Sequence, residues 1–135
     1  DYEIAHLMAE VDAGVFVLDF VPNVTVEQIE TKLLPFYRIL RDRHPDTPIV
    51  FVEDPVFPHT FFDVKAAASV RRLNAALAEH YRRLRESGER NIYYVSSEDM
   101  LGDDGEATVD GIHFTDLGMM RYADLLYPVL RRVLK

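Results

Sequence analysis

Three short runs of β-branched and aromatic residues alternate with long segments of helical periodicity. This alternation constrains the fold more than any other feature of the chain. Val15–Val21 (VFVLDFV), Thr47–Asp54 (TPIVFVED) and the run NIYYVS from Asn91 to Ser96 each read as a buried strand. Between the first two, Thr25 and Gln28 have capping-box spacing, and Val26, Ile29, Leu33, Phe36, Tyr37 and Leu40 recur at helical intervals. Pro35 predicts a kink or a split in that helix, and His44-Pro45 predicts its end. After the second strand, Asp63 is placed to cap a helix whose stripe is Val70, Leu73, Leu77, Tyr81 and Leu84, with Gly88 as its C-terminal stop. From Thr115 the chain turns helical again, with Met119, Tyr122, Leu126, Val129, Leu130 and Val133 on one side. The opening residues read as the end of a helix feeding the first strand. The expected order is α-β-α-β-α-β-α: a single α/β domain over residues 1–135, with a parallel sheet covered on both faces. The ligand crevice of such a sheet lies beyond the carboxyl ends of its strands.

Composition narrows the chemistry. The chain has 135 residues, a net charge of -8 and no cysteine. Disulfides, thiolate metal sites and a cysteine nucleophile are therefore excluded. Lys and Arg form no cluster that would track a phosphate backbone, so nucleic acid is not an expected partner. No apolar run approaches the ~18 residues of a membrane span. Compartment stays open, and neither a G-x-x-x-x-G-K-[ST] nor a G-x-G-x-x-G run supports nucleotide chemistry.

The candidates for function gather near the expected strand ends. Asp110 and His113, in DGIHFTDLG, stand three residues apart just before the last helix. A carboxylate at that spacing can hold Nδ1 of the imidazole while Nε2 faces a cleft, as acyl-transfer sites require. The same pattern also fits an Asp-Gly turn with a polar residue on it. It offers too few ligands for a metal. Asn23 follows the first strand, where its amide could donate to an oxyanion or simply favour a turn. Glu53 and Asp54 end the second strand, either contacting substrate or as a solvated end held by Pro55. Phe57, Phe61 and Phe62 suit a pocket rim or lid, or else pack over the core. Ser96 and Ser97 follow the third strand at the right edge for a nucleophile, but SSEDM reads as a helix start and no glycine-flanked elbow surrounds it. The acidic loop GDDGE from Gly102 to Glu106 reads as solvated.

VLDFVPN before a long helix, HPDTPIVFVED, and DGIHFTDLGMMRYADLLYPVL together resemble the C-terminal two-thirds of an SGNH hydrolase, the GDSL-type esterases and lipases. The resemblance covers essentially the whole chain, and the closing D-G-x-H-[FL]-[TS]-x-x-G stretch is its most specific part. It implies a flavodoxin-like three-layer α/β/α sandwich and hydrolysis of esters, often acyl groups on carbohydrates or lipids, without metal or cofactor. It makes His113 the base, Asp110 its orienting acid and Asn23 the oxyanion-hole asparagine. In that family the nucleophilic serine lies in a Gly-Asp-Ser block near the N-terminus, and a glycine supplies a second oxyanion donor. Both blocks would precede Asp1. The expectation is a hydrolase whose front third was cut away, omitted or carried as a separate chain. The first strand would then be an apolar edge. Two other readings compete: a non-catalytic binding module of the same architecture, and a receiver-like domain holding Mg²⁺ through Asp19, Glu53 and Asp54.

Overall fold

A computed structural model describes residues 1–134. In chain order it contains α1 (Tyr2–Ala9), β1 (Phe16–Leu18), a 3-10 turn (Val21–Asn23), α2 (Val26–Arg43), β2 (Ile49–Val52), a second 3-10 turn (Pro58–Phe61), α3 (Val64–Glu86), β3 (Ile92–Val95) and α4 (Asp116–Val133). The strands are parallel in the order β1-β2-β3, with Val17 opposite Val50 and Val50 opposite Tyr93. The central strand β2 is buried along its whole length.

Strand alternation sorts the side chains into two layers of core. Phe16, Leu18, Ile49, Phe51 and Ile92 point to one face and pack with Ile29, Leu33, Tyr37 and Leu40 of α2 and with Leu73, Leu77 and Leu84 of α3. Val50, Val52 and Val95 point to the other, where Tyr122, Leu125, Leu126 and Val129 of α4 cover them. The helices therefore lie on both faces of the sheet, in an α/β/α sandwich. Met119, expected on the packed side of α4, is exposed instead.

Local chemistry sets the helix ends. Thr25 and Gln28 form the reciprocal capping box, and Asp63 and Thr115 accept backbone N–H groups at the starts of α3 and α4. At the end of α3, Glu89 donates to the Leu84 carbonyl and Gly88 to that of Arg85, with Gly88 at φ +92°. This pattern needs a left-handed residue, which glycine supplies. Two expectations change. Pro35 does not divide α2, which runs unbroken from Val26 to Arg43. Pro35 lies on the exposed face, so the Thr31 carbonyl it deprives of a partner sits beside water. SSEDM is not a helix start: the chain turns there, with Asp99 at φ +57°.

The amino end of the sheet is closed by one buried side chain. Arg41 donates through Nη1 to the carbonyls of His44, Pro45 and Thr47, at 3.0, 3.0 and 2.7 Å. Nη2 reaches those of Arg90 and Asn91, both at 3.3 Å, and Nε reaches the Tyr37 hydroxyl. Tyr37 in turn donates to Glu89 at 2.8 Å. One guanidinium thus ties α2 to the loops that lead into β2 and β3.

Candidate active site

The loop before α4 is a tight, self-bonded structure. Val109 N–H donates to the His113 carbonyl at 2.9 Å and Thr115 N–H to the Ala107 carbonyl at 3.0 Å, with Gly111 at φ +90° between. Asp110 uses both carboxylate oxygens inside this loop. Oδ1 accepts the backbone N–H groups of Ile112 and His113, at 3.0 and 2.8 Å. Oδ2 faces His113 Nδ1 at 2.6 Å. The imidazole bond and these two amides hold the Asp110 carboxyl well below the usual carboxylate range. An ionised Asp110 has no proton to give, so Nδ1 is the donor in this bond, and in the neutral ring Nε2 is the acceptor. The His113 side chain is 77% exposed, so Nε2 is accessible.

Two residues hold this loop in place. His59, in the 3-10 turn after β2, donates from Nδ1 to the Gly111 carbonyl at 3.0 Å and stacks on Phe57 with ring centroids 5.9 Å apart. Gly118, the last residue of the motif, lets α4 press against the loop: a Cβ there would lie 2.1 Å from the Ala107 carbonyl oxygen. The acidic loop, expected to be solvated, is partly fastened as well. Arg121 of α4 grips both oxygens of Asp104 at 2.7 and 2.6 Å and also donates to the Leu101 carbonyl.

Asn23 ends the 3-10 turn after β1 and is exposed. Among the described residues nothing hydrogen-bonds its side-chain amide, while the capping of α2 falls to Thr25. Asn23 lines a groove of about 430 Å³ that runs along the outer side of β1, with Val17, Leu18, Asp19 and Phe20. Tyr122 of α4 donates to Asp19 at 2.5 Å, which brings the start of α4 to the carboxyl end of β1. Asn23, Asp110 and His113 therefore share the end of the sheet where α/β crevices lie.

The other candidates are used differently from expectation. Glu53 is not free at a rim: its carboxylate accepts the Tyr94 hydroxyl at 2.6 Å and both the amide and hydroxyl of Ser97 at 2.7 Å. Phe57 is not exposed either, but buried in the second core layer. Phe61 and Phe62 are the exposed aromatics of that loop. Asp54 is no solvated strand end. Only 4% of it is exposed, and its Oδ1 has no hydrogen-bond partner among the described residues. Burial, with a smaller contribution from the Asp19 charge, pushes its carboxyl up to about 6. Asn74 of α3 pins the adjoining backbone, accepting Asp54 N–H at 2.8 Å and donating to its carbonyl at 2.9 Å. Ser97 spends its hydroxyl on Glu53, and Ser96 accepts the Glu98 amide at 3.2 Å. Among the described residues Asp19, Glu53 and Asp54 do not gather into a metal-ligating group.

The sequence profile of the GDSL-like lipase/acylhydrolase family matches residues 1–131. The chain belongs to this family. Its structure resembles that of a Bacteroides ovatus protein described as a GDSL-like lipase, with a TM-score of 0.94 and 36% identity over 99% of this chain and 40% of that one. The fold is also that of a salicylyl-acyltransferase from a tetracycline biosynthetic pathway (TM-score 0.78, 19% identity, 100% of this chain and 43% of that one). A Clostridium thermocellum family 3 carbohydrate esterase shares it too (TM-score 0.72, 17% identity, 98% and 65%). No curated protein matches the sequence. The 135 residues thus span less than half of the Bacteroides protein, which shares more than a third of their identities. These likenesses fit the α/β/α architecture read from the strand and helix pattern.

Proposed function

We propose that these residues supply the base and one oxyanion donor of a serine acylhydrolase whose nucleophile lies outside residues 1–135. The observation that carries this reading is the Asp110–His113 pair, with Nδ1 bound to an ionised carboxylate and Nε2 left as an acceptor. A serine hydroxyl beside Nε2 would attack the ester carbonyl and pass its proton to His113. Asp110 stabilises the imidazolium so formed. The Asn23 amide donates to the oxyanion. The imidazolium then protonates the departing alcohol, and His113 deprotonates a water that releases the acid and frees the serine. Membership of the acylhydrolase family supports the reaction class, and the carbohydrate-esterase fold neighbour supports acylated carbohydrate as a substrate to try first. The serine-bearing segment is the partner this reading requires, and the outer edge of β1 beside Asn23 is where we place it.

The test is intact-mass spectrometry of the full protein, with any associated chains, before and after a fluorophosphonate probe. Labelling of a serine outside residues 1–135, lost in the His113→Ala variant, is the expected result. A label on Ser96 or Ser97 would move the nucleophile into this chain and overturn the proposal. No label and no ester hydrolysis would favour the non-catalytic binding module.

A further inference from the structure

A second cleft lies far from the candidate site. It follows the exposed edge of β3 toward its amino end, between the C-terminal turns of α3 and α4, and encloses about 790 Å³. That volume is in the range of small-molecule sites. Its lining brings together Arg85, Arg90 and Arg132 with Tyr81, Tyr93 and Tyr94, and among the described residues it includes no carboxylate. Such a concentration of positive charge is unexpected in a chain of net charge -8.

The neighbouring acids are already engaged. Glu86 pairs with Arg82, and Glu89 pairs with Arg38 while accepting the Tyr37 hydroxyl. Among the described residues Arg90 and Arg132 make no side-chain hydrogen bond or ion pair, and Arg85 makes only a long one, 3.5 Å, to the Glu89 carbonyl. Arg132 lies over the Tyr93 ring at 5.0 Å. An arginine in the last turn of a helix often does no more than offset the helix dipole. Two helix ends contribute about half a negative charge each, roughly one in all, against three guanidiniums. Among the described residues about two positive charges remain uncompensated, and Arg90 is on neither helix.

We propose that this cleft binds a ring-bearing ligand carrying two or more oxyanion groups, such as an acidic oligosaccharide. The guanidiniums supply planar, paired donors for carboxylate or phosphate, and the half-buried rings of Tyr81, Tyr93 and Tyr94 supply apolar surface beside them. The site is independent of the Asp110–His113 chemistry and stands whether or not the chain takes part in ester hydrolysis.

Calorimetric titration of the intact protein with trigalacturonate, tripolyphosphate and neutral maltotriose tests it. Trigalacturonate should bind saturably and more weakly as salt rises, and maltotriose should not bind. Arg90→Ala and Arg132→Ala should each weaken binding about tenfold, the usual scale for a charge-assisted hydrogen bond. Arg90 is exposed and makes no side-chain hydrogen bond or ion pair among the described residues, so its variant should keep the wild-type melting temperature and report on binding alone. Absence of saturable binding by either anion, or affinity unchanged in both variants, would overturn the site. Binding of tripolyphosphate without trigalacturonate would overturn the ring-bearing ligand.

Discussion

The two ends of the sheet are built in opposite ways. At the amino end Arg41, 8% exposed, spends its guanidinium on five carbonyl oxygens and a tyrosine hydroxyl. Its charge is balanced by those dipoles and, through Tyr37, by Glu89. Among the described residues of the carboxyl end the Asn23 amide has no partner and a buried oxygen of Asp54 has none, while the His113 side chain is mostly exposed. Buried polar groups are normally all paired. The contrast separates the Arg41 cluster, which holds the fold, from the carboxyl-end groups, which are free to act on an ester. Stability should therefore respond most to substitution of Arg41, and activity to substitution of His113 and Asn23.

The largest effect is expected at His113. In the intact, active protein, His113→Ala should lower kcat by at least about ten thousandfold, the scale for loss of a triad base. Its melting temperature should stay near wild type, because the ring is mostly exposed and among the described residues bonds only Asp110. Loss of folding with loss of activity would make the loop structural and erase the contrast. Next is Arg41→Met, which strips several buried carbonyls of their donor. Removing one charged partner from a buried polar arrangement costs about 3–5 kcal/mol, and a loss on that scale is expected in urea denaturation. The activity of the molecules that remain folded should not change. Asn23→Ala comes third: about a hundred- to a thousandfold in kcat, or roughly 3–4 kcal/mol, with little change in stability. An unchanged rate would remove Asn23 from the site.

What the sequence made legible was mostly local. Thr25, Asp63, Gly88 and Thr115 act within a few residues of themselves, and their spacing announces it. The strands and the two packed faces follow from patterns of period 2 and 3.6. The residues that escaped sequence reasoning act across distance. His59 meets Gly111 from 52 residues away, Arg41 reaches Asn91 across 50, and Asn74 clasps Asp54 across 20. Each is an ordinary polar residue in its own neighbourhood, and only the sandwich gives it a partner. Phe57 misled for the converse reason. A loop between prolines looks exposed, yet this ring turns into the core while Phe61 and Phe62 turn out. Asp110 and His113 were legible because both halves of the pair lie within one turn of chain.

The smallest effect sharpens the contrast most. The Asp54 carboxyl has an ordinary value of 3.8 when the chain is unfolded and about 6 when folded. The folded state therefore holds its proton more tightly. Below pH 3.8 both states are protonated and Asp54 costs nothing as a charge. As pH rises from 3.8 toward 6 the unfolded state ionises first, and stability falls. Above 6 the whole penalty is present: about two pKa units, or at most about 3 kcal/mol. His80, buried and depressed mainly by burial and then by Arg83, has the opposite sign, losing stability as pH falls. Its contribution is common to both proteins and cancels in a comparison with Asp54→Asn. Urea denaturation at pH 5.0 and 7.5 should show the wild type losing more stability than the variant over that interval. Equal changes in the two proteins would mean that Asp54 ionises at the same pH folded and unfolded. The carboxyl end of the sheet would then hold no buried charge at a cost, and its difference from the Arg41 end would be one of exposure alone.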